Sequence, residues 1–158
     1  MRPLAVFDID GVLADVNHRV HHLERQPADW PSFFDAAQDD VPFPEGVTLS
    51  SEAAEDCDVA YLTGRPERCR AQTEQWLSTH GFPRGQLVMR SDGDHRPARK
   101  AKPPLLRALA HGRIVAIVVD DDDEVCDAYA QAGWNVLRAR WASRSDALVR
   151  AQENDGRT

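Results

Sequence analysis

Val6-Phe7-Asp8-Ile9-Asp10-Gly11-Val12-Leu13-Ala14 is a short apolar run that ends in two carboxylates separated by one residue. Leu4 to Phe7 is too short for a helix and too apolar for an edge strand, which suits a strand buried on both faces of a parallel sheet. Asp8 and Asp10 then emerge at its carboxyl end, where open α/β sheets place their ligands. Gly11 lets the backbone turn away from them. An Asp-rich surface turn would show the same letters, so the rest of the chain decides between the two.

Outward from this stretch, apolar strand-like runs alternate with helical segments, the pattern of βαβ units. The further strands are expected at Asp58 to Leu62, Gln86 to Met89, Ile114 to Val119 and Trp134 to Leu137. Helices are expected over Glu67 to His80, Pro103 to Ala110 and Asp122 to Ala132, each closed by a glycine, with a last one over Ser143 to Glu153. Right-handed crossovers then give an α/β fold, a doubly wound (Rossmann-like) five-stranded parallel sheet with helices on both faces. Residues 1–142 form the main domain, and residues 143–158 add a C-terminal helix and a tail, Asn154 to Thr158, expected to fray.

A chain of 158 residues with a hydrophobic fraction of 42% suits one globular domain. No apolar stretch approaches the ~20 residues of a membrane span, and Met1-Arg2-Pro3 leads straight into the first strand, so no membrane association and a cytoplasmic location are expected. Cys57, Cys69 and Cys126 lack C-x-x-C spacing and read as idle or buried thiols. The net charge of −7 argues against coating long nucleic acid by charge alone. Basic residues do concentrate locally, at Arg65, Arg68 and Arg70 and again from Arg84 through Arg90, Arg96, Arg99 and Lys100 to Lys102.

Two more strand ends carry chemistry. Thr63-Gly64-Arg65-Pro66 delivers a hydroxyl, free backbone amides and a guanidinium together, a set that suits a phosphate; the bland alternative is a helix start with Thr63 as cap. Asp120-Asp121-Asp122-Asp123-Glu124 follows the fourth strand. Its last three acids suit a helix N-terminus, whereas Asp120 and Asp121 form a pair that a divalent cation such as Mg2+ would neutralise. Lys102, expected at a helix start, would offset the same repulsion, with Lys100 as its rival.

The order of these pieces resembles the haloacid dehalogenase superfamily of phosphohydrolases, whose four motifs all find a match between Asp8 and Asp121. The resemblance implies Asp8 as nucleophile, Asp10 as general acid/base, phosphate contacts from Thr63 and Lys102 beside those read above for Gly64 and Arg65, and Mg2+ held by Asp8, Asp121 and the Asp10 backbone carbonyl, with Asp120 in support. Within the superfamily, F-D-I-D-G-V-L-A-D, T-G-R-P-E, Gly93-Asp94-His95-Arg96 leading to Lys102, and V-D-D-D are most similar to the 3′-phosphatase domain of polynucleotide kinase-phosphatases. That implies removal of 3′-phosphates from nucleic-acid ends, with His18, Arg19, Arg90 and Arg96 as candidate substrate contacts. The alternatives are a phosphatase of nucleotides or other small phosphomonoesters and, further off, a non-catalytic phosphate-binding module.

A small helical cap is expected over about residues 16–45. Its histidines, His18, His21 and His22, suit a wet helix face better than a zinc site. Trp30, Phe33 and Phe34 suit a miniature core better than a platform for bases. A phosphoacceptor receiver domain also combines acids with a lysine, but it would place adjacent acids at the first strand end, where this chain has Asp-x-Asp.

Overall fold

The computed structural model describes residues 1–158. The strands are β1 (Leu4–Phe7), β2 (Ala14–Asp15), β3 (Val41–Pro42), β4 (Asp58–Pro66), β5 (Gly85–Arg90), β6 (Val115–Asp120) and β7 (Val136–Arg138). The helices are α1 (Trp30–Asp35), α2 (Pro44–Asp56), α3 (Arg70–Thr79), α4 (Ala98–Leu109), α5 (Asp123–Gln131) and α6 (Asp146–Glu153). Five strands pair in parallel in the order β5-β4-β1-β6-β7, the doubly wound arrangement that the alternation of elements implied. No helix is long and apolar enough to cross a membrane.

Alternation along β1 divides the core. Ala5 and Phe7 pack on one face with Tyr61, Trp76 and Leu77, while Leu4 and Val6 pack on the other with Leu106 of α4 and Val125 and Tyr129 of α5. β1 is therefore buried throughout, as its unbroken apolar sequence requires.

Several boundaries differ from the sequence reading. β4 continues four residues past Leu62 because its ladder with β5 resumes at Pro66 and Arg90 after a register shift, so Thr63, Gly64 and Arg65 lie within the strand rather than beyond it. α4 starts at Ala98, not at Pro103; Pro97 accepts from the amides of Lys100 and Ala101, and the two prolines sit inside the helix. α2 carried no clear helical signal, since Gly46, Thr48, Ser50 and Ser51 weaken its propensity. It is held instead by packing of Leu49, Ala53 and Ala54 on the core.

β2 and β3 pair antiparallel and fence off the cap. Within it, Asp29 caps α1 by accepting from the Ser32 amide at 3.1 Å. Phe33 and Phe34 are buried edge to face, 5.4 Å apart, and form the miniature core expected of them. Trp76 Nε1 donates to the Asp40 carbonyl at 2.9 Å and ties the cap to α3. The tail does not fray: it turns back over the carboxyl ends of the strands, where Thr158 is 4% exposed.

Candidate active site

Asp8 leaves the end of β1 with its amide bonded to the Val119 carbonyl at 2.9 Å, so the first and fourth expected strand ends stand side by side. The loop after it folds tightly, with the amides of Leu13 and Ala14 both donating to the Ile9 carbonyl. Gly11 sits at φ +82°, and a Cβ there would lie 2.1 Å from Asp121 Oδ2. Only glycine lets this loop close against the second pair of acids.

Asp8, Asp120 and Asp121 bring carboxylate oxygens within 4.8 Å of one another, all three buried. Lys102 reaches in from α4, its Nζ 2.7 Å from Asp120 Oδ2 and 3.1 Å from Asp8 Oδ2. One ammonium does not balance three carboxylates. Burial, and then repulsion from Asp120, push Asp8 well above its usual range and Asp121 up to about 7. Burial disfavours the Lys102 charge, but Asp120 and Asp8 outweigh it and keep the group protonated. Both carboxylate oxygens of Asp121 are buried without a hydrogen-bond partner, although its backbone carbonyl accepts from Arg144 at 2.7 Å. Orphaned hard oxygens beside two further carboxylates fit a divalent cation such as Mg2+, held by Asp8 and Asp121 with Asp120 turned to Lys102.

Asp10 has the opposite surroundings. Its Oδ1 accepts from Arg65 Nε at 2.9 Å, Arg65 Nη2 at 2.6 Å and Arg19 Nη2 at 3.1 Å. Burial alone would raise its pKa, but Arg65 and Arg19 more than offset this and hold it down at about 2. Its Oδ1 thus turns to the guanidinium groups, while Oδ2 accepts from Thr158 Oγ1 at 3.4 Å. The two aspartates of the motif are driven apart in proton affinity, Asp8 toward the protonated form and Asp10 toward the ionised one.

The arginines are fixed by a residue the sequence did not single out. Asp40, at the end of the cap, accepts from Arg19 Nε at 2.8 Å, Arg19 Nη2 at 2.9 Å and Arg65 Nη2 at 3.0 Å, while His18 Nε2 lies 2.7 Å from its Oδ1. Arg65 also donates to Thr73 Oγ1 at 3.3 Å. Its donors are committed to Asp10, Asp40 and Thr73, so it holds the acid/base candidate rather than reaching openly for a phosphate. Arg19, fully buried over the Phe33 ring, does the same. No local pattern marks Asp40, whose partners lie 21 and 25 residues away.

Thr63 is buried with Oγ1 accepting from the Arg65 amide at 3.2 Å. Gly64 meets the tail, where a Cβ would be 2.3 Å from the Thr158 main-chain carbon. Arg90 is a buried strut: it donates to the carbonyls of Gly64, Asp94, Arg96 and Thr158. Arg96 is exposed but paired with Asp94, and Arg99 is paired with Glu153. The basic stretch before Lys102 is therefore largely consumed within the molecule. Its residues do not form the row of free phosphate contacts that their clustering suggested.

Against known proteins, the chain is similar over 90% of its length to a chain of the Pnkp1/Rnl/Hen1 RNA repair complex, with 22% identity and a TM-score of 0.74, but it spans only 44% of that chain. A haloacid dehalogenase-like family hydrolase from Streptococcus pneumoniae is 16% identical with a TM-score of 0.67, over 97% of this chain and 92% of that one. L-2-haloacid dehalogenase from Xanthobacter autotrophicus is 15% identical with a TM-score of 0.57, over 95% and 82%. These likenesses establish the fold. No curated protein matches the chain. The family model for the polynucleotide kinase PNKP phosphatase domain matches residues 3–142, from the first strand through both aspartate pairs, and the chain belongs to that family of haloacid dehalogenase-like phosphatases.

Proposed function

We propose that the chain hydrolyses phosphomonoesters through an aspartyl-phosphate and that its substrates are 3′-phosphorylated polynucleotide ends. The observation that carries this is the meeting of Asp8 and Asp10 after β1 with Asp120 and Asp121 after β6 and Lys102 from α4, in a chain that the phosphatase-domain model matches almost throughout. An Asp8 oxygen attacks phosphorus, and the bond to the ester oxygen breaks. Asp10, which takes up a proton from solvent as the substrate phosphate binds beside it, gives that proton to the leaving oxygen, which departs as a hydroxyl. Water then attacks the phosphorus, its proton returns to Asp10, and the bond to Asp8 breaks to release phosphate. A bound Mg2+ would supply charge neutralisation at the acidic triad, which lets Asp8 stay ionised.

The surrounding groups suit these parts. Lys102 lies 3.1 Å from Asp8, where it can also face phosphoryl oxygens, and Thr63 lines the neighbouring strand end. Arg19 and Arg65 keep Asp10 ionised in the free protein, the form that accepts a proton from water. The negative phosphate brought beside Asp10 raises its proton affinity for the first half of the cycle.

The test is a substrate panel with Mg2+: oligonucleotides bearing a 3′-phosphate, oligonucleotides bearing a 5′-phosphate, mononucleotides and a small aryl phosphate. The 3′-phosphorylated oligonucleotide should give the highest kcat/KM, and Asp8→Asn should lower turnover by on the order of a thousandfold or more, because an amide cannot form the acyl phosphate. Equal kcat/KM for mononucleotides would overturn the polynucleotide reading, and near wild-type turnover by Asp8→Asn would overturn the mechanism.

A further inference from the structure

Among the grooves that the chemistry above does not use, one lies between the cap and α3. Trp30, Pro31 and Phe34 of the cap form one wall and Arg68, Cys69 and Gln72 the other, enclosing about 590 Å³. Its surface sets the Trp30 and Phe34 rings beside the Arg68 and Arg157 guanidinium groups, with Asp35 as the one acid in the lining. Trp30 stacks on Phe34 with centroids 6.1 Å apart and planes at 27°, Arg68 lies 5.1 Å from the Phe34 centroid, and Arg157 lies 5.4 Å from that of Trp30. Both walls are built on segments that also hold active-site residues. The Phe33 carbonyl accepts from Arg19 at 3.3 Å, and Arg68 follows Arg65 by three residues.

The tail bridges groove and site. Arg157 puts a flat cation over Trp30, and the next residue, Thr158, lies against Gly64 with its Oγ1 3.4 Å from Asp10 Oδ2. Two consecutive residues thus place a planar group on an aromatic ring and a polar group beside Asp10, so the groove borders the site. A nucleotide has the same layout, with a planar base, a sugar and a phosphate. Aromatic faces with arginines beside them accept any base by stacking.

We propose that the groove between α1 and the start of α3 seats the base of the nucleotide that carries the phosphate, and that Arg157 and Thr158 hold its place in the free protein and yield it when the nucleotide enters. The inference rests on the polynucleotide phosphatase reading and deepens it, because it assigns a base subsite to the cap. It also gives Arg157 a sign opposite to that of an ordinary phosphate contact, since its removal vacates the seat.

The experiment compares three substrates in the full chain with Mg2+: a 3′-phosphorylated oligonucleotide ending in an ordinary nucleotide, the same oligonucleotide ending in an abasic sugar phosphate, and a small aryl phosphate. The wild type should favour the base-bearing end over the abasic end by about tenfold in KM, the gain expected of one base–aromatic stack. Trp30→Ala should bring that ratio close to one, Trp30→Phe should restore most of it, and Arg157→Ala should lower KM for the base-bearing end. A ratio unchanged in Trp30→Ala, or lost equally in Trp30→Phe, would overturn the subsite, and a raised KM in Arg157→Ala would overturn the placeholder. Cleavage of the aryl phosphate without cleavage of any oligonucleotide would instead remove the polynucleotide reading on which the inference stands.

Discussion

Gly11 shows how much of the site depends on a single missing atom. The sequence read Asp-x-Asp-Gly as a strand end followed by a turn, and the structure adds that the glycine also makes room for Asp121. Gly11→Ala meets two penalties, a positive φ and a Cβ 2.1 Å from Asp121 Oδ2. It should destabilise the fold by about 1–3 kcal/mol and, by moving Asp121, abolish most turnover. Urea unfolding and a phosphatase assay check both, and wild-type values in each would contradict the geometry. Asp8, Asp10 and Asp121 were legible because charged groups at the ends of apolar runs have no packing use, whereas Lys102 was reached from an expected helix start that the structure moves back to Ala98. Asp40 was not legible. It sits in a polar stretch of the cap, and its meaning comes from Arg19 and Arg65, which only the folded chain brings to it.

At the scale of elements, α6 is docked by an acid that has two incompatible neighbours. Glu153 Oε2 accepts from Arg99 of α4 at 2.6 Å, whereas its Oε1 and Asp122 Oδ2 are both buried without a donor. Burial and Asp122 raise Glu153 from an ordinary 4.5 to about 7 despite Arg99. A folded pKa above the unfolded one favours the protonated form in the fold, so this contribution is complete below about pH 4.5 and lost as pH rises through 7. Glu153→Gln carries a donor at every pH. Its Tm relative to wild type, measured with chelator present, should therefore climb between pH 5 and 8, and a constant difference would reject the shared proton. α4 teaches a related lesson: Pro103 looked like a helix start because proline favours the first turn. Burial of Ala98, Ala101 and Lys102 carries the helix back to Ala98 instead.

Across the whole molecule, the strand order β5-β4-β1-β6-β7 sets the ends of β4, β1 and β6 side by side and so gathers Thr63, Asp8 and Asp120 from distant parts of the sequence. The resulting concentration of negative charge costs stability that a bound cation would return. Mg2+ should raise Tm, by the equivalent of about 2.7 kcal/mol at a hundredfold excess over Kd. Asp121→Asn should lose that increment while melting higher than wild type in chelator, because one buried carboxylate is gone. A thermal shift series checks this, and an equal Mg2+ increment in the variant would reject Asp121 as a ligand. The sequence alone determined the elements whose signal is local: buried parallel strands from unbroken apolar runs, strand ends from carboxylates and glycine, and a family from motif order. Tertiary structure decided what depends on partners far apart in the chain. It formed α2 despite weak propensity, turned the basic stretch before Lys102 inward onto carbonyls and acids, committed Arg65 to Asp10, and drew the tail into the site. Charge and hydrogen bonding are satisfied by whatever the fold brings near, and no local pattern encodes that.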